Sequence, residues 1–144
     1  METKFNFKSQ VCTDKVQSER LLALGLKKET ADMHWEDEAY FDDYEDWNAY
    51  VGSPKHSEHI PAWSLHRLWC LLPNSITIEH WMYARKYAKI LDLSMDSYQN
   101  VSYTEGIVEP CHDMHFYAND AYESICKAIE WLIKVGYFNK EFLV

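Results

Sequence analysis

The sequence has little of what marks membrane, secreted or multi-domain proteins. No apolar run approaches the roughly 20 residues that a membrane-spanning helix needs, and the start, Met1 to Lys4, lacks an apolar signal core. Only 4 glycines and 4 prolines occur among 144 residues, so long flexible linkers are not expected. We therefore expect a soluble, cytoplasmic protein that forms a single domain over residues 1–144.

Cysteine pairs with metal-ligand spacing are also missing. The chain has four cysteines, Cys12, Cys70, Cys111 and Cys126. They are widely separated and form no C-x-x-C pair. Cys70 and Cys126 lie in apolar, helix-like runs, where a reduced cysteine packs as a small hydrophobic side chain. We therefore expect neither a disulfide framework nor a structural zinc site, and no cofactor is implied.

Positive charge is scarce relative to negative charge. The chain has 14 Lys and Arg against 23 Asp and Glu, which gives a net charge of −9 at pH 7. Nucleic acids and anionic membranes would repel such a chain, so neither is an expected partner. Hydrophobic residues make up 47% of the sequence, enough to build a core. The chain has six tryptophans, more than a small core normally buries. Some of this aromatic surface could face a second copy of the chain, so the sequence is compatible with a monomer and with a homodimer.

Most of the net charge lies in an acidic, aromatic segment at about residues 31–60. Eight acidic residues and no Lys or Arg fall between Ala31 and Asp46. The spacing of aromatic and apolar residues from Tyr40 to Val51 predicts a helix with these side chains on one face. Like charges at i,i+4 oppose that helix, so an irregular, partly extended segment is the alternative.

Three α-helices are predicted from capping residues and apolar spacing. The first covers residues 13–24, and the second covers residues 64–72 with a serine as its N-cap. The third begins after Asp120 and ends at Gly136, and Asp120 forms a capping box with Glu123. These helices lie at the N-terminus, the centre and the C-terminus of the chain.

Between the second and third helices, residues 76–117 fit both helix and strand patterns, and we predict strands. The runs 98–104 and 111–117 are rich in Val, Tyr and Phe, and Glu105-Gly106 separates them. A three-stranded meander follows from this pattern. The predicted fold class is therefore α+β, with a small antiparallel sheet of about three strands packed against the N-terminal, central and C-terminal helices.

Three runs of residues resemble a family of small phage-associated proteins found in mobile elements of Bacteroidales. They are Gln17 to Met33 (QSERLLALGLKKETADM), Ile60 to Pro73 (IPAWSLHRLWCLLP) and Asn119 to Leu143 (NDAYESICKAIEWLIKVGYFNKEFL). The run PAWSL, followed by apolar residues and LP, is the more specific mark. The resemblance implies a mobile-element context and an α+β fold, and it transfers no catalytic position to this chain.

The acidic segment is the predicted binding surface. Its carboxylates would meet a basic protein partner while its aromatic rings act as anchors. The predicted binding residues are Trp35, Asp42, Asp43, Tyr44, Glu45, Asp46 and Trp47. A nucleic-acid mimic is a narrower version of this interpretation, and a solubilising face is the plain alternative. We expect a non-enzymatic accessory or interaction protein of a phage or mobile element.

Metal binding or metal-dependent catalysis is the alternative function. Imidazole and thiolate groups are the ligands that zinc prefers. They occur in three places: Cys111 with His112 and His115, the H-x-x-H pair His56 and His59, and His34 beside the acidic segment. The sequence has no G-x-S-x-G, no phosphate-cradling glycine loop and no dinucleotide fingerprint, so we do not expect an enzyme.

Overall fold

The computed structural model describes residues 10–39, 46–82, 84–104 and 114–144, which contain three α-helices and two antiparallel sheets. The helices are α1 (Lys15–Ala23), α2 (Leu65–Leu71) and α3 (Ala121–Val135), and two 3-10 turns cover Lys28–Thr30 and Lys140–Phe142. None of the helices in this part of the chain is long and apolar enough to span a membrane.

The two sheets come from separate parts of the chain. The first has the order β2-β1-β3 and contains β1 (Met33–Asp37), β2 (Trp47–Val51) and β3 (Ile60–Ala62). The second is a meander, β4-β5-β6-β7, formed by β4 (Ser75–Met82), β5 (Arg85–Met95), β6 (Val101–Thr104) and β7 (Met114–Phe116). The α+β class is confirmed.

Apolar side chains of α3 form the centre of the core with the four-stranded sheet. Ile125, Ile129 and Leu132 are fully buried on α3 and share one cluster with Leu91 and Tyr103 of the sheet. Buried leucines of α1 and α2 belong to the same cluster. Because apolar burial is the main favourable term in folding, this cluster supplies most of the stability of the described residues.

A buried serine ties α3 to the edge of the four-stranded sheet. The Ser124 hydroxyl donates to the Phe116 carbonyl oxygen at 2.6 Å and accepts from the Val101 amide at 2.7 Å. Both β6 and β7 are thereby joined to the helix by hydrogen bonds that satisfy buried backbone groups.

The three predicted helices are confirmed, and the structure corrects one of their caps. Asp120 accepts from the Glu123 amide at 2.9 Å, as expected of an N-cap. The Glu123 carboxylate, however, accepts from Gln17 at 2.8 Å and from Arg20 at 3.1 Å on α1. The complete capping box lies instead at α1, where Asp14 and Gln17 bond each other's backbone amides. Long-range partners thus replace the predicted local one.

The sheet prediction is confirmed only in part. The predicted runs 98–104 and 111–117 contain β6 and β7, but β4 and β5 form a long hairpin that raises the second sheet to four strands. The prediction of a helix over Tyr40 to Val51 is wrong for residues 47–51, which form β2. The alternative prediction, an extended segment, is correct for these residues. Pairing with β1 satisfies the hydrogen bonds of the β2 backbone. A helix would instead place acidic side chains four residues apart on the same face, where they repel each other.

The cysteines of the described residues are free, and they differ in burial. Cys126 packs in the core as predicted, and its burial raises the thiol pKa to about 12. Cys70 is exposed, contrary to its predicted apolar packing, and its sulfur lies 3.5 Å from Nε2 of His66 on the preceding turn of α2. A seven-residue helix turns only one face to the core, and Cys70 lies on the other.

Candidate functional site

The acidic segment folds, where it is described, as the antiparallel hairpin of β1 and β2. The Asp37 carboxylate accepts from the amides of Ala39 and Asp46, each at 3.0 Å. The hydrogen bond from Asp46 and then that from Ala39 lower the pKa of Asp37. The predicted binding residue Asp46 is exposed. Four others, Asp42, Asp43, Tyr44 and Glu45, lie outside the described residues.

The two predicted tryptophan anchors share one face of the hairpin, because Trp35 pairs with Ala49 and Asp37 pairs with Trp47. Both are half-buried. The Trp35 indole donates from Nε1 to the Thr13 carbonyl oxygen at 2.9 Å. The Lys15 ammonium lies 4.4 Å from the centre of the Trp47 ring. Trp35 therefore holds the hairpin to the chain before α1, and Trp47 already contacts a cation.

The opposite face of β1 carries a buried histidine and a half-buried glutamate, two residues apart. His34 is only 5% exposed, and its Nδ1 lies 2.7 Å from the Gly52 carbonyl oxygen. Its Nε2 lies 2.8 Å from Oε1 of Glu36. Alternation along a strand places both side chains on this face.

The connection between β2 and β3 adds a second histidine to this face. Nε2 of His59 lies 3.4 Å from Oε1 of Glu36, and the His59 ring stacks on the His34 ring at 4.6 Å with an angle of 9° between planes. The ring of His56 meets that of His59 edge-on at 4.9 Å. We call His34, Glu36 and His59 the histidine cluster; their ligand atoms all lie within 4.8 Å of one another.

Hydrogen bonds at the start of the connection hold it close to β1. The Gly52 amide donates to the Asp32 carbonyl oxygen at 2.8 Å, and the Ser53 hydroxyl donates to the Ala31 carbonyl oxygen at 2.7 Å. Gly52 has a φ of +113°, a conformation that other residues rarely adopt. The turn at Gly52 therefore directs the connection back toward the histidine cluster.

A cleft of about 740 Å³ opens beside the histidine cluster. Asp37, Trp47, Lys55 and Glu58 line it in addition to the three cluster residues. The cleft thus combines imidazole and carboxylate groups, which suit cations.

The predicted metal ligands are only partly described. Cys111 and His112 lie outside the described residues, and His115 is an exposed residue of β7 whose ring stacks on Tyr117 at 5.7 Å. The structure instead brings together His34 and His59, which the sequence showed as separate features. The signals for their meeting were the alternation of His34 with Glu36 and the H-x-x-H pair.

No protein-family model, no curated protein and no solved structure matches this chain. The cleft and the histidine cluster are therefore identified as functional candidates by their own geometry and chemistry.

Proposed function

We propose that this protein is a non-enzymatic accessory protein of a phage or other mobile element, which binds a basic protein partner through the β1–β2 hairpin and the adjoining cleft. The position of Lys15 carries this proposal, because its ammonium group lies 4.4 Å from the centre of the Trp47 ring, on the face of the hairpin opposite the histidine cluster. A lysine or arginine of a partner would find the same kind of environment. The resemblance of three sequence runs to phage-associated proteins supports the mobile-element context.

The charges of the hairpin and cleft favour a cationic ligand. Asp37, Asp46 and Glu58 are exposed there, and the chain as a whole carries a net charge of −9. A cation on an aromatic ring near the surface contributes about 0.5–1 kcal/mol, while surrounding carboxylates speed the encounter with a basic partner. We expect the affinity to fall as salt concentration rises, because exposed charges are screened.

A cytoplasmic location is part of the same proposal. Three cysteines of the described residues are free, as expected in a reducing compartment. The proposed interaction needs only one copy of the surface, so it applies to a monomer and to a homodimer.

Two variants of equal net charge test the proposal. The hairpin variant carries D42N, D43N, E45Q and D46N. The control variant changes four acidic residues elsewhere: E19Q, E29Q, D92N and E141Q. Each variant has a net charge of −9 + 4 = −5. Fluorescence anisotropy with a labelled lysine- and arginine-rich peptide measures affinity, and a pull-down from host lysate compares partners.

We expect the hairpin variant to bind the peptide at least about tenfold more weakly than the control variant, because a local cluster of charges acts more strongly than dispersed charge. The control variant should retain nearly all of the wild-type affinity and partners. Equal losses of peptide affinity in both variants would show that only net charge matters. Equal partner profiles for all three proteins in the pull-down would contradict a role for the hairpin.

A further inference from the structure

We propose that His34, Glu36 and His59 form a binding site for a divalent transition-metal ion, with zinc as the expected occupant. This site uses a different ligand class from the basic partner proposed above and does not depend on that interaction. Two imidazoles and one carboxylate are a ligand set found in zinc proteins, including catalytic sites that keep a fourth position open.

The hydrogen bonding of His34 points to a cation between His34 and Glu36. The Gly52 carbonyl oxygen only accepts, so the contact at 2.7 Å assigns the proton of a neutral ring to Nδ1. Nε2 then presents its lone pair to Oε1 of Glu36 at 2.8 Å. Two acceptors this close repel each other unless a proton or a metal ion lies between them. A metal-bound histidine typically donates its other N–H to a backbone carbonyl in this way.

The spacing of the three ligand atoms is close to that of a tetrahedral site. Zinc bonds nitrogen and oxygen at about 2.0–2.2 Å, which places neighbouring ligand atoms roughly 3.3 Å apart. Oε1 of Glu36 lies 2.8 Å from Nε2 of His34 and 3.4 Å from Nε2 of His59, and all three ligand atoms lie within 4.8 Å of one another. Imidazole lone pairs lie in the ring plane, so the His59 ring must rotate out of its parallel stack on His34 to bind the same ion. This rotation needs no movement of β1.

Two structural elements hold the ligands. His34 and Glu36 project from one face of β1, where the backbone is paired with β2 at both residues and with β3 at His34. His59 comes from the connection, and its Nδ1 accepts only a long hydrogen bond of 3.4 Å from the Lys55 amide. Breaking this weak bond lets the ring bind a metal through Nε2 with the proton on Nδ1.

The fourth position faces the cleft. All three ligands line it, as does His56, whose ring lies 4.9 Å from that of His59. Water or the His56 imidazole is therefore the expected fourth ligand. Two imidazoles favour zinc and its transition-metal neighbours over magnesium and calcium, which prefer oxygen ligands.

Metal titration of the full chain, purified without a histidine tag and stripped of metal, tests the site. Competition with a chromophoric chelator measures zinc affinity, and cobalt substitution reports tetrahedral coordination through its visible spectrum. NMR of the histidine ring nitrogens identifies the rings that bind. We expect one zinc per chain, a tetrahedral cobalt spectrum, and shifted ring signals from His34 and His59.

The variants E36Q and H59N remove ligands without truncating the buried His34. Each should weaken zinc binding by at least about 100-fold, more than the loss of an outer hydrogen-bond partner usually costs. The matched control H66N removes an exposed imidazole from α2 and should bind zinc as the wild type does. Circular dichroism verifies that all variants are folded.

Two results would overturn the proposal. A folded wild type that binds no zinc would show that a proton, and not a metal, joins His34 to Glu36. Zinc binding that survives in E36Q and H59N but disappears in C111S/H112N would assign the metal to the other predicted site.

Discussion

The two sheets share antiparallel pairing but surround different chemistry. The four-stranded sheet faces α3 across fully buried apolar side chains such as Ile129 and Leu132. The β1–β2 hairpin instead buries an imidazole, His34, and leaves Val51 at the end of β2 87% exposed. Burial of apolar surface stabilises a fold, whereas buried polar groups need specific partners. The difference assigns stability to the first region and makes the second the candidate for ligand binding.

A small set of polar contacts joins the two regions. The Asp32 carboxylate, just before β1, accepts from the Ser64 amide at 2.8 Å and from its hydroxyl at 2.5 Å. The same Ser64 hydroxyl caps α2 by accepting from the Arg67 amide at 3.1 Å. Asp32 therefore orients the hairpin relative to α2, and through α2 relative to the core.

The largest expected effect is a difference in the free energy of unfolding between a core variant and a hairpin variant. Substitution I129A removes a fully buried side chain and leaves a cavity, so we expect a loss of about 2–5 kcal/mol in the free energy of unfolding. The matched substitution V51A removes exposed carbons and should change it by less than about 0.5 kcal/mol. Urea unfolding measures both. Similar losses in the two variants would contradict the division into a stabilising and a binding region.

A smaller loss is expected at the contact between the regions. Substitution D32A leaves the Ser64 amide without its acceptor, and hydrogen bonds to charged groups are each worth about 1.5–3 kcal/mol. We therefore expect a loss of at least about 1.5 kcal/mol in urea unfolding, whereas D46N, in the hairpin, should have little effect. Zinc affinity should also fall in D32A, because β1 loses its anchor. A D32A variant as stable as the wild type would refute the anchoring role.

The smallest expected effect is a pH dependence within the hairpin. The lowered pKa of Asp37 means that folding favours its carboxylate form. This contribution is present at pH values above the unfolded pKa of about 3.9, and it disappears as the pH falls through the lower folded pKa. Thermal unfolding of wild type and D37N from pH 7 to pH 2 should show a difference that vanishes at the acidic end. A difference that persists at pH 2 would contradict this origin.

The sequence predicted the helices well because their signals are local. Ser64 and Asp120 cap α2 and α3 as expected, and Gly136 ends α3 with a φ of +84°. Capping and apolar spacing act within a few residues, so they are readable without knowledge of the rest of the chain. Strand pairing is not local. Trp35 pairs with Ala49 and Ile60, and nothing near residue 47 revealed that β2 would find β1 there.

The candidate site shows the same limit. The sequence displayed an H-x-x-H pair, His56 and His59, and a separate His34. The ligand atoms that meet are instead those of His34, Glu36 and His59. Local spacing showed His59 together with His56, whose rings are in contact, and it did not show His34, which joins them because the β2–β3 connection folds back over β1.

The amino-acid sequence alone determined the α+β class, the three helices and the concentration of acidic residues in one stretch, since periodicity, capping and charge are properties of neighbouring residues. The tertiary structure decided which acidic residues close the hairpin, which tryptophan contacts a lysine and which histidines share a carboxylate. Those outcomes depend on the registers of β1 with β2 and β3, which bring distant residues to one face of a sheet.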